Sequence, residues 1–350
     1  MKRRKLLYFY FTRTSFVAKD LAIFQSAYEV KEFHYPATGR DILIYLFKQF
    51  FFLLRHCRSC DVLVCQFAGH HSVLAVFFGR LFRKPVLLIP GGTDCVSFPS
   101  IRYGQFSKSF LSKTTCYSYR KARHIAPVHE ALIRSAYTYT ADDFPEQGFA
   151  VFCKNIKTPV TTIYNGYETD KFRPTGEARN KNSFLTIAAG LDSEVRIRLK
   201  GIDIILAAAA QLPDCSFTII GANRPPQLEV PANVKIIPPV PNQELPALMS
   251  SHEFYLQLSL SEGFPNALCE AMLCGCIPVV SDVSSMPGII GKSGFVLKKR
   301  DAGMLVSLLK PALECNKPEQ SAAARKTIEE NYTLVRRTKE LLQLLSEMTT

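Results

Sequence analysis

Short apolar runs alternate along the chain with segments whose apolar residues recur at helical spacing. In the first half, the apolar runs predict strands at Leu6 to Phe11, Asp61 to Phe67, Pro85 to Ile89 and Val160 to Ile163. The periodic segments predict helices at Val17 to Ser26, Arg40 to His56, His70 to Phe82, Tyr103 to Ala122 and Val128 to Tyr137. This alternation predicts an α/β protein, in which helices cover both faces of a parallel sheet.

A polar stretch, Thr175 to Asn182, follows an Asn-Gly turn signal and predicts a linker between two domains. After it, strands are predicted at Ser183 to Ala189, Cys215 to Ile220, Val234 to Ile237, Phe254 to Leu260, Ile277 to Val280 and Gly294 to Leu297. Helices are predicted at Ile202 to Gln211, Asn242 to Ser250, Asp301 to Glu314, Pro318 to Glu330 and Tyr332 to Met348. We therefore expect an N-terminal domain at residues 1–172 and a C-terminal domain at residues 173–333, each large enough to bury its own core.

The segment LSLSEGFPNALCEAMLCGCIPVV, residues 258–280, predicts a strand, a tight turn, a helix and a second strand. Pro265 suits the first turn of the helix, where a backbone N–H has no partner in any case. Such a turn places backbone N–H groups and the positive end of a helix at the carboxyl edge of a parallel sheet. The segment therefore predicts a site for a phosphate or another anion, with Glu262 in the turn and Glu270 about two helical turns further on.

The sequence SEGFPNALCEAMLCGCIPVVSD resembles the donor-site signature of the family-4 retaining glycosyltransferases. The resemblance implies the GT-B fold, with two Rossmann-like doubly wound domains facing across a cleft and a C-terminal helix, here residues 334–348, that crosses back onto the first domain. It also implies a nucleotide-sugar substrate. Glu262 would lie by the donor sugar, Glu270 would hold the ribose, and the turn through Gly263, Phe264 and Asn266 would face the diphosphate.

A second candidate element is the segment GLDSEVRIRLKG, residues 190–201, which predicts a basic loop at the carboxyl end of the second sheet. The alternative is a solvated surface loop. Lys200 matches the position of the diphosphate-binding lysine in the resembling family, whereas Leu191 stands where that family commonly has an arginine. Arg196 or Arg198 is expected to supply the missing cation, and Arg198 is the better candidate.

The chain contains no Asp-x-Asp motif, which many glycosyltransferases use to hold a divalent metal ion. Cleavage of a nucleoside diphosphate sugar leaves negative charge on the β-phosphate, and fixed cations can stabilise it. We therefore expect no metal and no other cofactor, with lysine, arginine and a helix N-terminus in the place of a metal.

The first half offers fewer candidates. Asp94, in the Gly-rich turn after the strand at Pro85 to Ile89, stands near the position of a sugar-contacting histidine in the resembling family. It is predicted either to orient an acceptor or sugar hydroxyl, as a catalytic residue, or to be an ordinary turn aspartate. The first domain is expected to bind the acceptor.

The composition is globular, with 47% hydrophobic and 21% charged residues, and the net charge of +13 favours anionic partners. Nucleic acid is not expected, because no RNA- or DNA-binding signature is present. Eleven irregularly spaced cysteines favour a reduced, cytoplasmic protein. An apolar stripe within Ile42 to Leu54, with basic residues beside it, predicts a core-facing helix or, alternatively, a peripheral docking surface for the anionic inner face of a membrane.

These observations predict a metal-independent, retaining glycosyltransferase that moves a sugar from a nucleotide sugar to a saccharide or lipid-linked saccharide acceptor, in polysaccharide or lipopolysaccharide assembly. Two alternatives stay open. A nucleotide-sugar epimerase can share the fold, and a non-catalytic nucleotide-sugar-binding partner would fit the departures from the family pattern at Gly91, Gly92 and Leu191.

Overall fold

The computed structural model describes residues 3–36, 41–191, 193–222 and 229–349, so Arg40, the predicted start of the second helix, and Asp192 lie outside the described residues. The chain forms two compact units. The first unit combines Met1–Ala136, Glu146–Asn165 and Val335–Thr350, and the second combines Tyr137–Pro145 and Gly166–Leu334. The polar segment at residues 137–145 therefore belongs with the second unit although its flanking residues belong with the first.

The first unit is built on a five-stranded parallel sheet. Its elements in chain order are β1 (Lys5–Tyr10), α1 (Ser15–Ala27), β2 (Glu29–His34), α2 (Ile42–His56), β3 (Val62–Gln66), α3 (His70–Leu81), β4 (Val86–Ile89), α4 (Ser109–Lys121), β5 (His124–Ile125), β6 (Ser135–Ala136), β7 (Glu146–Gln147) and α5 (Phe149–Phe152). The strand order is β2-β1-β3-β4-β5, and β6 and β7 form a separate antiparallel pair. The central strands β1, β3 and β4 are almost wholly buried, so their continuous apolar runs made them predictable.

Three predictions for this unit were wrong. β2 was not predicted, because as an edge strand it alternates charged and apolar residues and lacks an apolar run. The predicted helix at Val128 to Tyr137 is a short 3-10 turn followed by β6. The predicted strand at Val160 to Ile163 is not a regular strand. It makes one bridge, between Val160 and Ile125, and the N–H groups of Thr161 and Ile163 donate to the backbone oxygens of Ile125 and Pro127.

The second unit is built on a six-stranded parallel sheet. Its elements are β8 (Asn180–Ile187), α6 (Glu194–Lys200), α7 (Ile202–Ala209), β9 (Ser216–Ile220), β10 (Val234–Ile237), α8 (Leu245–Ser250), β11 (His252–Gln257), α9 (Asn266–Leu273), β12 (Ile277–Ser281), α10 (Met286–Ile290), β13 (Phe295–Leu297), α11 (Ala302–Leu313) and α12 (Lys317–Asn331). The strand order, β10-β9-β8-β11-β12-β13, is that of a six-stranded Rossmann sheet. The direction of strand addition reverses between β8 and β11, and ligands of such sheets bind outside the carboxyl ends of the strands at that reversal.

The last helix, α13 (Leu334–Thr349), belongs almost entirely to the first unit. Its buried Arg337 forms a two-pronged ion pair with the buried carboxylate of Asp20 on α1, with both N···O distances at 2.6 Å. The same guanidinium donates to the backbone oxygens of Ile163 and Tyr164. The end of the chain is thus held to its beginning by a charge pair that water does not reach. No helix of the described residues is long and apolar enough to cross a bilayer.

Candidate functional site

The candidate site lies at the carboxyl ends of β8 and β11. These neighbouring strands stand where the direction of strand addition in the second sheet reverses. The chain leaves β8 into α6 and leaves β11 into the turn before α9. The two sequence segments that were singled out, residues 190–201 and 258–280, therefore follow adjacent strands. This follows from the strand order and could not be obtained from either segment alone.

Lys200 is the last residue of α6, a short helix where the sequence analysis predicted a loop. Ser193 caps this helix by accepting from the N–H of Arg196, and Gly201 ends it with a left-handed backbone at φ +69°. A Cβ atom on Gly201 would lie 2.2 Å from the backbone oxygen of Leu258. The end of α6 can approach the end of β11 this closely only because the residue after Lys200 is a glycine.

Glu262 and Lys200 form an ion pair, with Lys200 Nζ 2.6 Å from Glu262 Oε1. The same carboxylate oxygen accepts from Gln257 Nε2 at 3.0 Å and from Ser259 Oγ at 2.7 Å. Both partners of the ion pair are largely buried, with side-chain exposures of 20% and 14%. The three donors all reach Oε1, and no donor from the described residues reaches Oε2.

Gln257 and Ser259 were not predicted as site residues. Together with Tyr255 they occupy alternate positions, so their side chains project from one face of the β11 segment. Tyr255 donates to Gln257 Oε1, and burial raises the pKa of Tyr255 well above its usual value. Tyr255, Gln257 and Ser259 alternate with the apolar residues Phe254, Leu256 and Leu258, and this alternation is a sequence signal for a buried hydrogen-bonded row, which here positions Glu262.

The turn after Glu262 leads into α9, which begins at Asn266, so that Pro265 occupies the N-cap position just before the helix. Gly263 and Phe264 are buried in this turn. The ring of Phe264 packs edge-on against Tyr332, and the hydroxyl of Tyr167 donates to Asn266 Oδ1 at 2.7 Å.

No side chain caps α9. The first N–H groups of a helix have no partner within the helix and attract anions. Glu270 lies one turn further along α9 and is 6% exposed. The structure thus places Glu262, the start of α9 and Glu270 on one continuous segment.

The two arginines of α6 lie apart from the ion pair of Lys200. Arg198 is exposed and forms a salt bridge with Asp142 at 3.2 Å, within the same unit. Arg196 is also exposed, and it forms no ion pair with any of the described residues. Neither arginine contacts Glu262, so only Lys200 of the three predicted cations is fixed beside it.

Asp94 does not fit the predicted catalytic role, and its contacts fit the alternative of a turn aspartate. Its side chain is completely buried. Oδ1 accepts from the N–H groups of Gly91 and Gly92, and Oδ2 accepts from the N–H of Ala68 and the hydroxyl of Tyr119. Burial raises the pKa of this carboxyl, and the four donors oppose the shift. The carboxylate joins the loops that follow β3 and β4, and it presents no surface to a substrate.

Residues 179–331 match the family model described as Glycosyl transferases group 1. This range includes Lys200, Glu262 and Glu270. The matched region, residues 179–331, is called the group 1 domain below. The narrower prediction, that the chain is a family-4 retaining enzyme, goes beyond this match.

Solved structures extend the similarity from the group 1 domain to the rest of the chain. Sucrose-phosphate synthase from Thermosynechococcus elongatus superposes with a TM-score of 0.76 at 14% identity, covering 99% of both chains. Anabaena HepE in complex with UDP and glucose superposes with a TM-score of 0.70 at 15% identity, covering 98% of this chain and 100% of HepE. At these identities the similarity shows the fold, and the predicted GT-B fold class is confirmed.

Among curated proteins, the O-antigen chain mannosyltransferase B of Escherichia coli is 31% identical over 86 residues, which are 25% of this chain and 23% of that relative. The chain spans less than half the length of the curated relatives it matches. The match to group 1 glycosyltransferases is therefore a similarity of residues 179–331, and the activity of the whole protein goes beyond it.

Proposed function

We propose that the protein is a retaining glycosyltransferase that moves a sugar from a nucleotide diphosphate sugar to a saccharide or lipid-linked saccharide acceptor. The proposed setting is the assembly of a cell-surface polysaccharide or lipopolysaccharide. The group 1 domain supports transfer from a nucleotide sugar, and the similarity to an O-antigen mannosyltransferase supports the setting. Retention of anomeric configuration rests on the resemblance of the segment 261–282 to the family-4 donor site.

The observation that carries the proposal is the Lys200–Glu262 ion pair beside the N-terminus of α9, at the reversal point of the second sheet. In the proposed reaction, the bond between the anomeric carbon and the β-phosphate oxygen breaks, and the acceptor hydroxyl oxygen bonds to the anomeric carbon on the same face of the sugar. The hydroxyl proton passes to the oxygen of the departing nucleoside diphosphate. Lys200 and the N–H groups at the start of α9 would stabilise the charge that develops on the diphosphate. Donors fixed in this way are worth about 3–4 kcal/mol of transition-state stabilisation each.

The other predicted site residues of the group 1 domain also have proposed roles. Glu262 would contact the donor sugar through Oε2, Glu270 would hold the ribose hydroxyls, and the Gly263–Asn266 turn would contact sugar and phosphate. Arg198, or Arg196 in its place, would approach the diphosphate once the donor is bound, Arg198 leaving its exposed salt bridge with Asp142. An exposed pair of this kind is worth only about 0–1 kcal/mol, so a phosphate can compete for the guanidinium.

Metal independence is part of the proposal. Among the described residues, no three His, Cys, Asp or Glu side chains are grouped in a way that could hold a metal ion. Lysine, arginine and a helix N-terminus are expected to supply the positive charge instead. We expect full transfer activity in the presence of EDTA, and loss of activity that manganese or magnesium restores would contradict this expectation.

The acceptor would bind to the first unit, and a lipid-linked acceptor would require that unit to meet a membrane. The helix α2 exposes large apolar side chains, among them Leu43, Phe47 and Phe51, which are 67%, 67% and 63% exposed. Lys48, Arg55 and Arg58 are exposed on the same segment. We propose a cytoplasmic protein that docks this face on the anionic inner surface of a membrane, since apolar insertion and lipid charge act together.

The test is a panel of nucleotide sugars, with donor binding followed by thermal shift and calorimetry and transfer followed with lipid-linked acceptor extracts. Lys200→Ala should lower turnover by about 10²–10³-fold, because it removes a donor to developing charge, and should affect donor binding less. Glu270→Ala should instead weaken nucleoside binding.

Lys310→Ala, which removes an exposed lysine of the same domain, is the matched control. Equal activity of Lys200→Ala and Lys310→Ala would overturn the assignment. A donor that isomerises without any acceptor would point to the epimerase, and donor binding without turnover on any acceptor would point to a non-catalytic partner.

A further inference from the structure

The first unit contains a cavity of about 490 Å³ at the amino ends of β4 and β5, the edge of the sheet opposite to the carboxyl ends of the strands. Its volume is within the range of small-molecule binding pockets. It is lined by the ends of α3 and α4, by the segment at residues 157–159 and by Met348 of α13. All of these residues belong to the first unit.

The lining of this cavity is strongly cationic. Seven of its fourteen lining residues are arginine or lysine, and none of the fourteen is acidic. Within the part of the chain that the structure describes, no carboxylate forms a salt bridge with any of the seven. Of the seven, only Arg120 donates a side-chain hydrogen bond to another described residue, from Nε to the backbone oxygen of Lys154.

Stabilisation of helix C-termini accounts for only three of these seven cations. Arg80 lies in the last turn of α3, and Arg120 and Lys121 lie in the last turn of α4, where cations favourably meet the negative end of the helix dipole. The other four cations, Arg83, Lys84, Arg123 and Lys157, lie outside both helices. Arg83, Arg123 and Lys157 are exposed and Lys84 is half-buried, so water solvates these charges, and no acidic lining residue offsets their mutual repulsion. A bound anion would offset it.

We propose that this cavity is a second binding site, distinct from the donor site, for a ligand that carries clustered phosphate groups. Guanidinium and ammonium groups pair with phosphate oxygens through charge-assisted hydrogen bonds, and several cations around one pocket favour two or more phosphates over a single carboxylate. The proposal goes beyond glycosyl transfer and does not depend on it. The ligand is either a phosphorylated lipid head group or a soluble polyphosphorylated compound, and both present the same chemistry to the cavity.

The first experiment uses inorganic pyrophosphate, with binding measured by calorimetry at low and at physiological salt. Pyrophosphate would also bind to the proposed donor site, and Lys200→Ala is not expected to abolish that binding. All cavity variants are therefore compared in the Lys200→Ala background, in which any binding at the donor site is common to them. In that background, Arg123→Gln with Lys157→Gln should weaken the binding of pyrophosphate at the cavity by at least about tenfold, because two charged hydrogen-bond donors are lost.

The matched control removes two exposed lysines of the same unit that do not line the cavity, with Lys108→Gln and Lys113→Gln. Net charge falls by the same amount, so a general electrostatic effect would weaken binding equally in both double variants. Equal weakening, or no pyrophosphate binding in the Lys200→Ala background, would overturn the proposal.

A vesicle experiment identifies the source of the phosphate. The protein is sedimented with phosphatidylcholine vesicles that contain either phosphatidic acid, with an accessible phosphate monoester, or phosphatidylserine at equal charge. If the ligand is a lipid, phosphatidic acid should retain more protein, and the Arg123→Gln, Lys157→Gln variant should lose that preference. Cavity-dependent pyrophosphate binding without such a preference would support a soluble ligand.

Discussion

The position of Lys200 depends on the glycine that follows it. Gly201 adopts a left-handed backbone, and its missing side chain lets the carbonyl of Leu258 approach. The Lys-Gly pair before a helix is visible in the sequence, and Lys200 could be identified there because the pair resembles the position of the diphosphate-binding lysine in the family-4 enzymes. Its ion pair with Glu262 could not be derived from the sequence, because it depends on the adjacency of β8 and β11 and on the hydrogen bonds of Gln257 and Ser259.

Single residues also control how stability depends on pH, and His71 is the strongest case. It is fully buried, and burial lowers the pKa of His71 to about 3 from its ordinary value near 6.5. Its Nε2 lies 3.0 Å from the backbone oxygen of Gln66, to which the neutral ring donates. Between these two pKa values the unfolded state binds the proton and the folded state does not, so stability rises with pH in this window.

The predicted consequence is a loss of stability on acidification that His71→Gln reduces. The contribution of His71 is fully present above about pH 6.5 and falls as the pH approaches 3. Between pH 7 and pH 5, the free energy of unfolding should fall by about 2 kcal/mol because of His71. The free energy of unfolding in urea, measured at both pH values, should therefore change less in the variant. His34→Gln, at an exposed position, serves as the control and should leave the difference unchanged.

At the scale of secondary structure elements, the contact between α1 and α13 depends on the buried pair of Asp20 and Arg337. Their side chains are 1% and 3% exposed. Removing one member of a buried pair leaves the other charge without a partner, which typically costs about 3–5 kcal/mol. We therefore expect Arg337→Met to destabilise the protein by that amount in chemical denaturation, and Asp20→Asn to do so to a similar extent.

The adjacent residue offers a matched control for this prediction. Arg336 forms an exposed salt bridge with Glu340 on the same helix, and pairs of this kind contribute at most about 1 kcal/mol. Arg336→Met should therefore change the free energy of unfolding only slightly. The double variant Asp20→Leu, Arg337→Met should recover part of the loss. Similar effects of Arg336→Met and Arg337→Met would show that the buried pair does not hold α13.

Strands with a continuous apolar run and helices with a long, helically spaced apolar pattern could be predicted, whereas short or polar elements could not. The range of β10 was predicted correctly, and that of α3 to within one residue. α6 was predicted as a loop because it has only seven residues, four of them charged, and its stability comes from the Ser193 cap and the Gly201 end. The segment Val128 to Tyr137 has apolar residues at helical spacing and was predicted as a helix. In the structure this segment instead leads into β6, which pairs with β7.

At the scale of the whole molecule, the net charge of +13 and the exposed apolar face of α2 both bear on the proposed membrane contact. The sequence analysis left open whether this helix faces the core, and the structure buries only Gln49 and Leu53 of it. Leu43, Leu46, Phe47, Phe50 and Phe51 line an apolar groove together with Leu74 of α3. An exposed apolar surface of this kind, with basic residues beside it, is typical of a membrane-binding surface.

We predict that the protein sediments with vesicles containing anionic lipid and that Phe47→Ser with Phe51→Ser lowers this binding at least about tenfold, because each phenylalanine contributes about 1.5–3 kcal/mol when buried. Phe110→Ser, at a 70% exposed position on α4, is the control and should have little effect. Concentration-dependent dimerisation that the double variant abolishes, without vesicle binding by the native protein, would instead show that a second copy covers this face.

The pairing of α13 with α1 also has a consequence during protein synthesis. The first unit contains residues from both ends of the chain, whereas the second unit, apart from residues 137–145, is continuous. As a ribosome releases the chain from its N-terminus, the second unit has all its residues before the first unit does. Arg337 is made 317 residues after Asp20, so the first unit cannot form this buried pair until all residues of the second unit have been synthesised.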